Sequence, residues 1–493
     1  MSGAGSHEGD VPQLPDGEAG RGLLGIFTVP AIKPGALILK AAFPTLAFLA
    51  VLLAPTPQGL TGEGHRALAV MALAVGLWAT DVLPIAVTGL VGVVLLVLLH
   101  GAPNITDALY GFSNPVAYFL IGILTLGLAV YRSGLAERLA VYLIRGAGGS
   151  PRMLYWQMLF SFAALTFALP SATTRGAIQV HIYEQVLARW HVAQGSAMYK
   201  AMMLAMGSLN RLGSTALLAG GITPVVASSL LGDFSWTRWF ILMSIPFYAN
   251  LVVGGTLVYL YYRAGFRLDG AADIGPLATS PVHLPEVKAA LITLGTALLW
   301  FTDFLHGLPP TVPALIALAI ILTPGIGVLG WRDFERNLGW SNFFAIATSL
   351  SLANALVASG AAAWFSHVLV GGVEGVRGTP LLALLALAGA SALVRLAVAN
   401  ISGYLALVIP VAMATGESLG LNPLVCGMTA VVVGDSVIYY PAQSTSSVFI
   451  FQRANLGAFQ VFRFGVVMTL VAIAVLFAIV LPYWSLVGEG LTR

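Results

Sequence analysis

Apolar runs long enough to cross a bilayer recur from Ala36 to Leu486, separated by short polar or basic segments. With their flanking charges they predict spans near 37–54, 67–81, 83–100, 115–131, 199–231, 238–262, 287–304, 312–329, 340–357, 423–452 and 462–485, eleven in all. Two further segments, 153–190 and 379–418, are apolar but short for two full spans plus a turn, since one span needs about 20 residues. Two of the predicted spans have the opposite problem. Segments 199–231 and 423–452 would make helices of roughly 45 Å at 1.5 Å per residue, against a hydrocarbon core of about 30 Å. Each carries helix-breaking polar sequence: Gly213-Ser214-Thr215 and Gly220-Gly221-Ile222-Thr223-Pro224 in the first, Gly434-Asp435-Ser436 and Pro441-Ala442-Gln443-Ser444-Thr445-Ser446 in the second. Broken helices at membrane depth are tolerated only where they line a cavity or are buried in protein, and their ends offer unpaired N–H and C=O groups to ions.

Basic residues concentrate on the cytoplasmic side of membrane proteins, which gives the short segments a topology. With the N-terminus inside, Arg132, Arg138, Arg145, Arg152, Arg189, Lys200, Arg263, Arg267, Lys288, Arg332, Arg336, Arg453 and Arg463 all fall inside. Only Arg66, Arg238, Arg377 and Arg493 are left outside, the last at the C-terminus. Segment 153–190 therefore starts and ends in the cytoplasm as a re-entrant helical hairpin, and 379–418 starts and ends outside.

An internal repeat at a separation of roughly 228 residues organises these elements. Gly111-Phe112-Ser113-Asn114, an apolar run and Ser133-Gly134-Leu135-Ala136 are answered by Gly339-Trp340-Ser341-Asn342, an apolar run and Ser359-Gly360-Ala361-Ala362. Each copy is followed by a polar cluster, Ser171-Ala172-Thr173-Thr174-Arg175 and Ala399-Asn400-Ile401-Ser402, at the expected hairpin tip. Five crossings separate the copies, an odd number, so the repeat is inverted. Inverted repeats that bring polar clusters to the bilayer midplane are a mark of secondary transporters.

Composition agrees: 58% of residues are hydrophobic and 9% charged, far from a water-soluble domain. The single cysteine, Cys426, lies in an apolar run and excludes a disulfide framework or cysteine-rich metal site. A net charge of +3 over 493 residues gives no reason to expect nucleic acid. No metal set and no nucleophile with a base at suitable spacing supports an enzyme, and no cofactor is expected. Residues 1–35 read as a disordered cytoplasmic tail.

Two tips and two broken spans thus converge, rich in Ser, Thr, Asn and Gln that can donate to an oxyanion or coordinate sodium. Arg175, Arg211 and Arg395 lie at or beside these clusters, and an intramembrane arginine costs at least about 2.5–3.5 kcal/mol to insert, which makes each a functional candidate. Arg175, just past the first tip, is the expected substrate ligand, since guanidinium binds carboxylate or sulfate bidentately. Structural alternatives are pairing with Glu184 or Asp435, or snorkelling of Arg211. His181 and Glu184, three apart on a helix, form an incomplete ligand set and are expected to pair with each other.

At these residues the chain resembles the divalent anion/sodium symporter family of the wider ion-transporter superfamily, from about residue 36 onward. That family carries Ser-Asn-Thr at each tip, extended in its dicarboxylate branch to Pro-Ser-Asn-Thr-Ala-Arg. Here Pro170-Ser171-Ala172-Thr173-Thr174-Arg175 keeps Pro, Ser, Thr and Arg, while Ala399-Asn400-Ile401 keeps the Asn alone. Gly213-Ser214-Thr215-Ala216 with Gly220, and Pro441-Ala442-Gln443-Ser444, stand where the family has its Gly-Gly-Thr-Ala-Thr and Pro-Val-Ala-Thr-Pro-Pro types of run. The resemblance implies an alternating-access carrier, a homodimer with elevator-type scaffold and transport domains, moving dicarboxylates, tricarboxylates or sulfate with sodium or against another anion. It implies sodium at Ser171, Gly220, Asn400 and Gln443; Ala172, Ala399 and Ile401 are departures that remove side-chain oxygens and make sodium-independent exchange a live alternative.

The expectation is an all-α polytopic membrane protein, a secondary active transporter of small divalent organic anions, C4-dicarboxylates first, by sodium symport or anion exchange. A sulfate or sulfonated-acid carrier of the same fold is the alternative, and an anion channel the alternative of another class. Expected substrate ligands are Ser171, Thr173, Thr174, Arg175, Ser214, Thr215, Asn400, Ser402, Ser444 and Thr445. The expected organisation is scaffold helices in 36–145 and 287–370, transport-domain parts in 146–265 and 371–493, and a cytoplasmic linker in 266–286. Such a protein belongs in the inner (plasma) membrane, with lipid and a second copy as its partners.

Overall fold

The computed structural model describes residues 34–146, 149–169, 171–232, 234–267, 281–371 and 378–492, with the helical side chains of 34–39, 369–371 and 445–446 left aside. Nearly all of the predicted tail 1–35, most of the linker 266–286, and Pro170, Arg377 and Arg493 lie outside the described residues, as does the side chain of Thr445.

The chain folds into helices: α1 (Pro34–Leu53), α2 (Gly62–Thr80), α3 (Ile85–Leu98), α4 (Pro115–Arg132), α5 (Leu135–Arg145), α6 (Pro151–Ala164), α7 (Ala172–Arg189), α8 (Ala197–Thr215), α9 (Ile222–Leu231) and α10 (Trp236–Tyr261). There follow α11 (Leu284–Phe301), α12 (Thr311–Leu322), α13 (Trp340–Ala358), α14 (Ala361–Gly371), α15 (Pro380–Ala397), α16 (Ile401–Ser418), α17 (Pro423–Asp435), α18 (Thr445–Arg453) and α19 (Ala458–Val475), the last running on through a π turn to Leu486. Among the described residues the only β pairing is an isolated bridge between Leu421 and Thr492. Seven helices are long and apolar enough to cross a membrane, Pro115–Arg132, Trp236–Tyr261, Leu284–Phe301, Trp340–Ala358, Pro380–Ala397, Ile401–Ser418 and Ala458–Leu486, and five shorter ones are apolar. The predicted span 312–329 ends early, at Leu322, because Pro324 and Gly325 follow and a helix does not run on into that pair.

The repeat extends through the whole fold. Helices α2 to α10 recur in order as α11 to α19, and their packing is reciprocal: α3 lies on α13 while α4 lies on α12, and α7 lies on α18 while α9 lies on α16. A two-fold relation between halves produces this exchange of partners. The α3–α13 and α4–α12 pairings both depend on glycine, because a Cβ at Gly89 would sit 1.9 Å from Thr348 Oγ1 and one at Gly122 would sit 2.7 Å from Ala314 Cβ. Small residues that let backbones approach closely are how helices pack without a hydrophobic drive between them.

Loops fall into two sets joined by separate contacts. One set is held by Arg132 with Asp333 at 4.0 Å, Arg138 with Glu286 at 2.5 Å, Glu184 with Arg453, and Lys288 Nζ donating to Gly325 O at 2.7 Å. The other is held by Arg238 with Glu489 at 2.7 Å, Thr237 N donating to Asp303 at 2.9 Å, Asn422 N to Leu491 O at 2.8 Å and Thr61 Oγ1 to Ser359 O at 2.9 Å. The first set collects the basic loops predicted to share a side, and both outer ends of the α6–α7 hairpin belong to it. Both outer ends of the α15–α16 hairpin belong to the other set, where Ser418 meets Ser366 at 3.2 Å and Ala383 and Leu384 pack with Leu421.

Candidate functional site

Each long predicted span is broken where its polar residues accumulate. Helix α8 runs to Thr215, a 3-10 turn covers Leu218–Gly220, and α9 starts at Ile222. Helix α17 ends at Asp435, a 3-10 turn covers Pro441–Gln443, and α18 starts at Thr445. The first break is tight: a Cβ on Gly220 would fall 1.8 Å from the carbonyl oxygen of Ser214, so only glycine fits. Of the predicted breakers, Gly213-Ser214-Thr215 and Gly434-Asp435 stay helical, and the chain leaves the helix just beyond them.

Four helices begin at the two tips and the two breaks. Helices α7 and α18 run side by side from tip and break towards the Glu184–Arg453 pair, and α9 and α16 run side by side the other way, Leu231 and Met413 meeting at Gly427. Ser171 caps α7 by accepting from Thr174 N at 3.2 Å and Thr174 Oγ1 at 3.1 Å. Asn400 caps α16, its Oδ1 accepting from Ser402 N at 3.1 Å. Gly221 and Ser444 stand at the N-termini of α9 and α18 in extended conformation. Each such terminus is worth about half a positive charge and favours an anion.

A continuous set of bonds joins the four elements. Arg175, fully buried, donates from Nε to Asn210 Oδ1 at 2.7 Å, from Nη1 to Leu169 O at 2.9 Å, and from Nη2 to Asn210 O at 2.9 Å and Ser214 Oγ at 2.6 Å. Asn210 Nδ2 in return donates to Ala172 O at 2.9 Å, so the first tip is fastened to α8. Asp435 accepts from Thr215 Oγ1 and, at 3.2 Å, from Thr223 Oγ1, and pairs with Arg211 Nη1 at 3.5 Å. Arg211 Nη2 also donates to Val437 O. Arg395, fully buried, reaches the second tip and the second broken span: Nη1 donates to Val398 O at 2.5 Å and Ala399 O at 2.8 Å, and Nε to Gly434 O at 3.1 Å. Gln443 closes the set, with Nε2 donating to Arg395 O at 2.9 Å and Oε1 accepting from Tyr439 N at 2.7 Å.

The predicted site residues therefore divide. Ser171, Thr174, Arg175, Ser214, Thr215, Asn400, Ser402 and Gln443 lie in or directly beside this network, and Gly220 forms its tight break. Thr173 is exposed in the first turn of α7, and Ser444 is half-buried at the start of α18. Glu184 pairs with Arg453 and accepts from Tyr199 at 2.7 Å, while exposed His181 meets Gln185 at 2.9 Å, so the expected His181–Glu184 pair does not form. Sequence reasoning missed Asn210 and Thr223. Their signal was available: Asn210 and Arg211 stand one helical turn before Ser214 and Thr215, a polar stripe in an apolar span. Among the described residues no group of three His, Cys, Asp or Glu side chains could hold a metal ion.

Three guanidiniums against one carboxylate leave two buried positive charges in this network. Buried charges are normally paired, so the arrangement calls for a counter-ion.

Known proteins of similar sequence fit this chemistry. The family model described as the sodium:sulfate symporter transmembrane region matches residues 36–489. The L-tartrate/succinate antiporter of Escherichia coli K12 is 23% identical over 483 residues, covering 90% of this chain and 97% of that protein. The putative malate transporter YflS of Bacillus subtilis is 24% identical over 338 residues, covering 65% and 70%. A membrane protein of Cupriavidus necator is 25% identical over 475 residues, covering 90% and 91%. The crystal structure of the YdaH transporter of Alcanivorax borkumensis shares the fold at a TM-score of 0.50 and 16% identity, covering 78% of this chain and 90% of that one. With helices that match a membrane fold and a family model spanning nearly all of it, the chain belongs to the sodium:sulfate symporter family and is a multi-pass membrane transporter, not an enzyme.

Proposed function

We propose that this protein is a secondary active transporter of small divalent organic anions, C4-dicarboxylates first, working by anion exchange. The observation that carries this reading is the excess of two buried positive charges, from Arg175, Arg211 and Arg395 against Asp435, in the bond network that joins the two tips to the two broken spans. A dianion supplies the missing charge. The relatives named for malate and for tartrate and succinate support the substrate class.

Exchange is favoured over sodium symport because the oxygens that sodium needs are spent or absent. Ala172, Ala399 and Ile401 offer no side-chain oxygen, the carbonyls of Ala172 and Ala399 accept from Asn210 and Arg395, Ser171 and Asn400 Oδ1 cap helices, and Gln443 Oε1 accepts an amide. Asp435, Thr215 and Thr223 do form a hard-oxygen cluster, but the Arg211 guanidinium lies against it. Sodium symport at Ser171, Gly220, Asn400 and Gln443 remains the second reading, on the strength of the family. Scaffold and transport domains would move as an elevator within a homodimer in the inner membrane, with the face that gathers Arg132, Arg138 and Arg453 towards the cytoplasm, and so the N-terminus inside and the C-terminus outside.

The test is uptake of radiolabelled succinate and of sulfate into proteoliposomes loaded with unlabelled succinate, with and without a sodium gradient. Saturable, sodium-independent counterflow of succinate is expected, which a channel cannot produce. Folded protein that moves neither anion refutes the proposal; uptake of sulfate in place of succinate selects the sulfate or sulfonated-acid carrier.

A further inference from the structure

The two halves share sequence and topology, but they do not make the same contacts. Helix α16 of the second hairpin packs on α13 and α2, whereas its counterpart α7 has no comparable packing on α4 or α11. Conversely, α10 packs on α11 while α19 has no comparable packing on α2. Thr173 and Ser402 stand at the same place after the two tip caps, yet the first is exposed and the second is 3% exposed. An inverted repeat with unequal halves has a second arrangement open to it, in which the halves exchange contacts.

A repeated motif sits where those contacts differ. Trp78-Ala79-Thr80-Asp81 closes α2, and Trp300-Phe301-Thr302-Asp303 closes α11. Trp300 stacks on Trp236, the first residue of α10, with ring centroids 6.4 Å apart, and Phe301 meets the same ring at 4.3 Å. Asp303, 6% exposed, accepts from the backbone N–H of Thr237 at 2.9 Å. That amide is one of those a helix leaves open at its start, so the carboxylate satisfies it and meets the positive end of the helix dipole. Asp81 has no such place: it is exposed, at a φ of 51°, with no partner among the described residues. Trp78 packs instead on the first turn of α16, where a Cβ on Gly403 would fall 2.2 Å from its ring. Helix α19 begins at Ala458, so exposed Phe459 holds the position that Thr237 holds in α10.

We propose that Asp303 and Asp81 are alternate latches, positioning residues that hold the transport domain at the two ends of its travel. In the arrangement of this structure Asp303 caps α10 and Asp81 is free; in the opposite one Asp303 releases Thr237 N and Asp81 accepts from Phe459 N at the start of α19. The two cannot close together. Helices α10 and α19 pack antiparallel, Trp484 near the end of α19 donating from Nε1 to Leu242 O at 2.7 Å, so a shift that carries the start of α19 to α2 carries the start of α10 away from α11. Each latch is a charge-assisted bond to backbone, which biases one arrangement without preventing the other. The assignment rests on the moving transport domain proposed above and names the contacts that end each stroke.

The experiment places a single cysteine at Thr173 or at Ser402 in full-length Cys426→Ser protein, Cys426 being buried, and measures labelling rates with a charged maleimide in detergent. Thr173→Cys is expected to label faster than Ser402→Cys. Adding Asp303→Asn is expected to raise the Ser402→Cys rate at least threefold without raising the Thr173→Cys rate, and adding Asp81→Asn to lower the Ser402→Cys rate at least threefold. A carboxylate that merely stabilises the fold would on removal raise labelling at both cysteines, and that result overturns the latch. Unchanged rates, or shifts of one sign in both variants, overturn it equally. Should Asp303→Asn not fold, exposed Asp81 carries the test, and an unchanged Ser402→Cys rate in Asp81→Asn overturns the assignment. Ser402→Cys that labels only after denaturation, in wild type and in both variants, shows no second arrangement and overturns the moving-domain reading with the latch.

Discussion

Neutralising Asp435 and Arg211 separately and together tests whether the ion pair between the two broken spans is what holds them. Asp435 is 1% exposed and accepts from Thr215 and Thr223 besides pairing with Arg211. Removing one partner of a buried pair costs about 3–5 kcal/mol, because the other charge is left uncompensated. Two features put this pair at the lower end. The Arg211 side chain keeps 13% of its exposure and the closest approach is 3.5 Å, not a tight fork. Asp435→Asn is therefore expected to cost about 3 kcal/mol, leaving Arg211 and Arg395 with no carboxylate between them. Arg211→Met leaves the carboxylate with two hydroxyl donors and is expected to cost less, about 2 kcal/mol. The double variant leaves Arg395 alone without a carboxylate and removes the other uncompensated charge, so its loss should fall to about 2 kcal/mol, a coupling of about 3 kcal/mol against the sum of the singles. Equilibrium unfolding in mixed detergent micelles, followed by far-UV circular dichroism, measures all three. A double variant that loses the sum of both singles shows that the pair carries no such energy.

Gly220→Ala should abolish counterflow, since its Cβ would lie 1.8 Å from the Ser214 carbonyl and backbone cannot yield as a side chain can; transport at wild-type rate refutes the fit. Glu184→Gln should cost no more than about 1 kcal/mol by the same unfolding assay, because Arg453 is 41% exposed and the pair is partly solvated. Gly122→Leu should destabilise the protein and spare the geometry of the tips, since it separates α4 from α12 where the Ala314 backbone and Cβ leave no room; unfolding and succinate KM measured together separate the two effects.

The breaks were legible because bilayer thickness converts segment length into a prediction: 199–231 was too long for one helix. The glycines and prolines in 199–231 and 423–452 marked the breaks to within a few residues, and basic loops grouped the helix ends as the structure groups them. What the arginines do was not legible. Arg175 finds Asn210 and Ser214 across 35 and 39 residues, and Arg211 finds Val437 across 226, separations that no helical periodicity announces. Whether a guanidinium is spent on protein or left for a ligand depends on how many acceptors surround it, and that number is a property of packing. Hence Arg175, first choice as substrate ligand from its place in a motif, has its nitrogens bonded to protein, while among the described residues Arg395 Nη2 and Arg211 Nε find no partner.

The unequal tips follow from what an inverted repeat has to bind. A symmetric scaffold supplies two pairs of parallel helices with N-termini aimed at the centre from opposite faces, and it does so from backbone alone. A succinate-like dianion has two equivalent ends, so symmetry would suffice to hold it, yet the two tips are chemically different. The first is closed on itself through Ser171, Thr174, Arg175 and Asn210, whereas the second has donors on Arg395 and Asn400 without a partner among the described residues. On the proposed exchange reading each anion has to be released in turn, and a site with every donor in place on both tips would hold a dianion too well to let it go. On the proposed dianion reading, unused donors at one tip, against helix termini and a short hydroxyl pair at the other, would hold one carboxylate more firmly than the other. Selectivity should accordingly be stricter for the first carboxylate than for the group at the far end, and a series of succinate analogues altered at one end reads that difference directly.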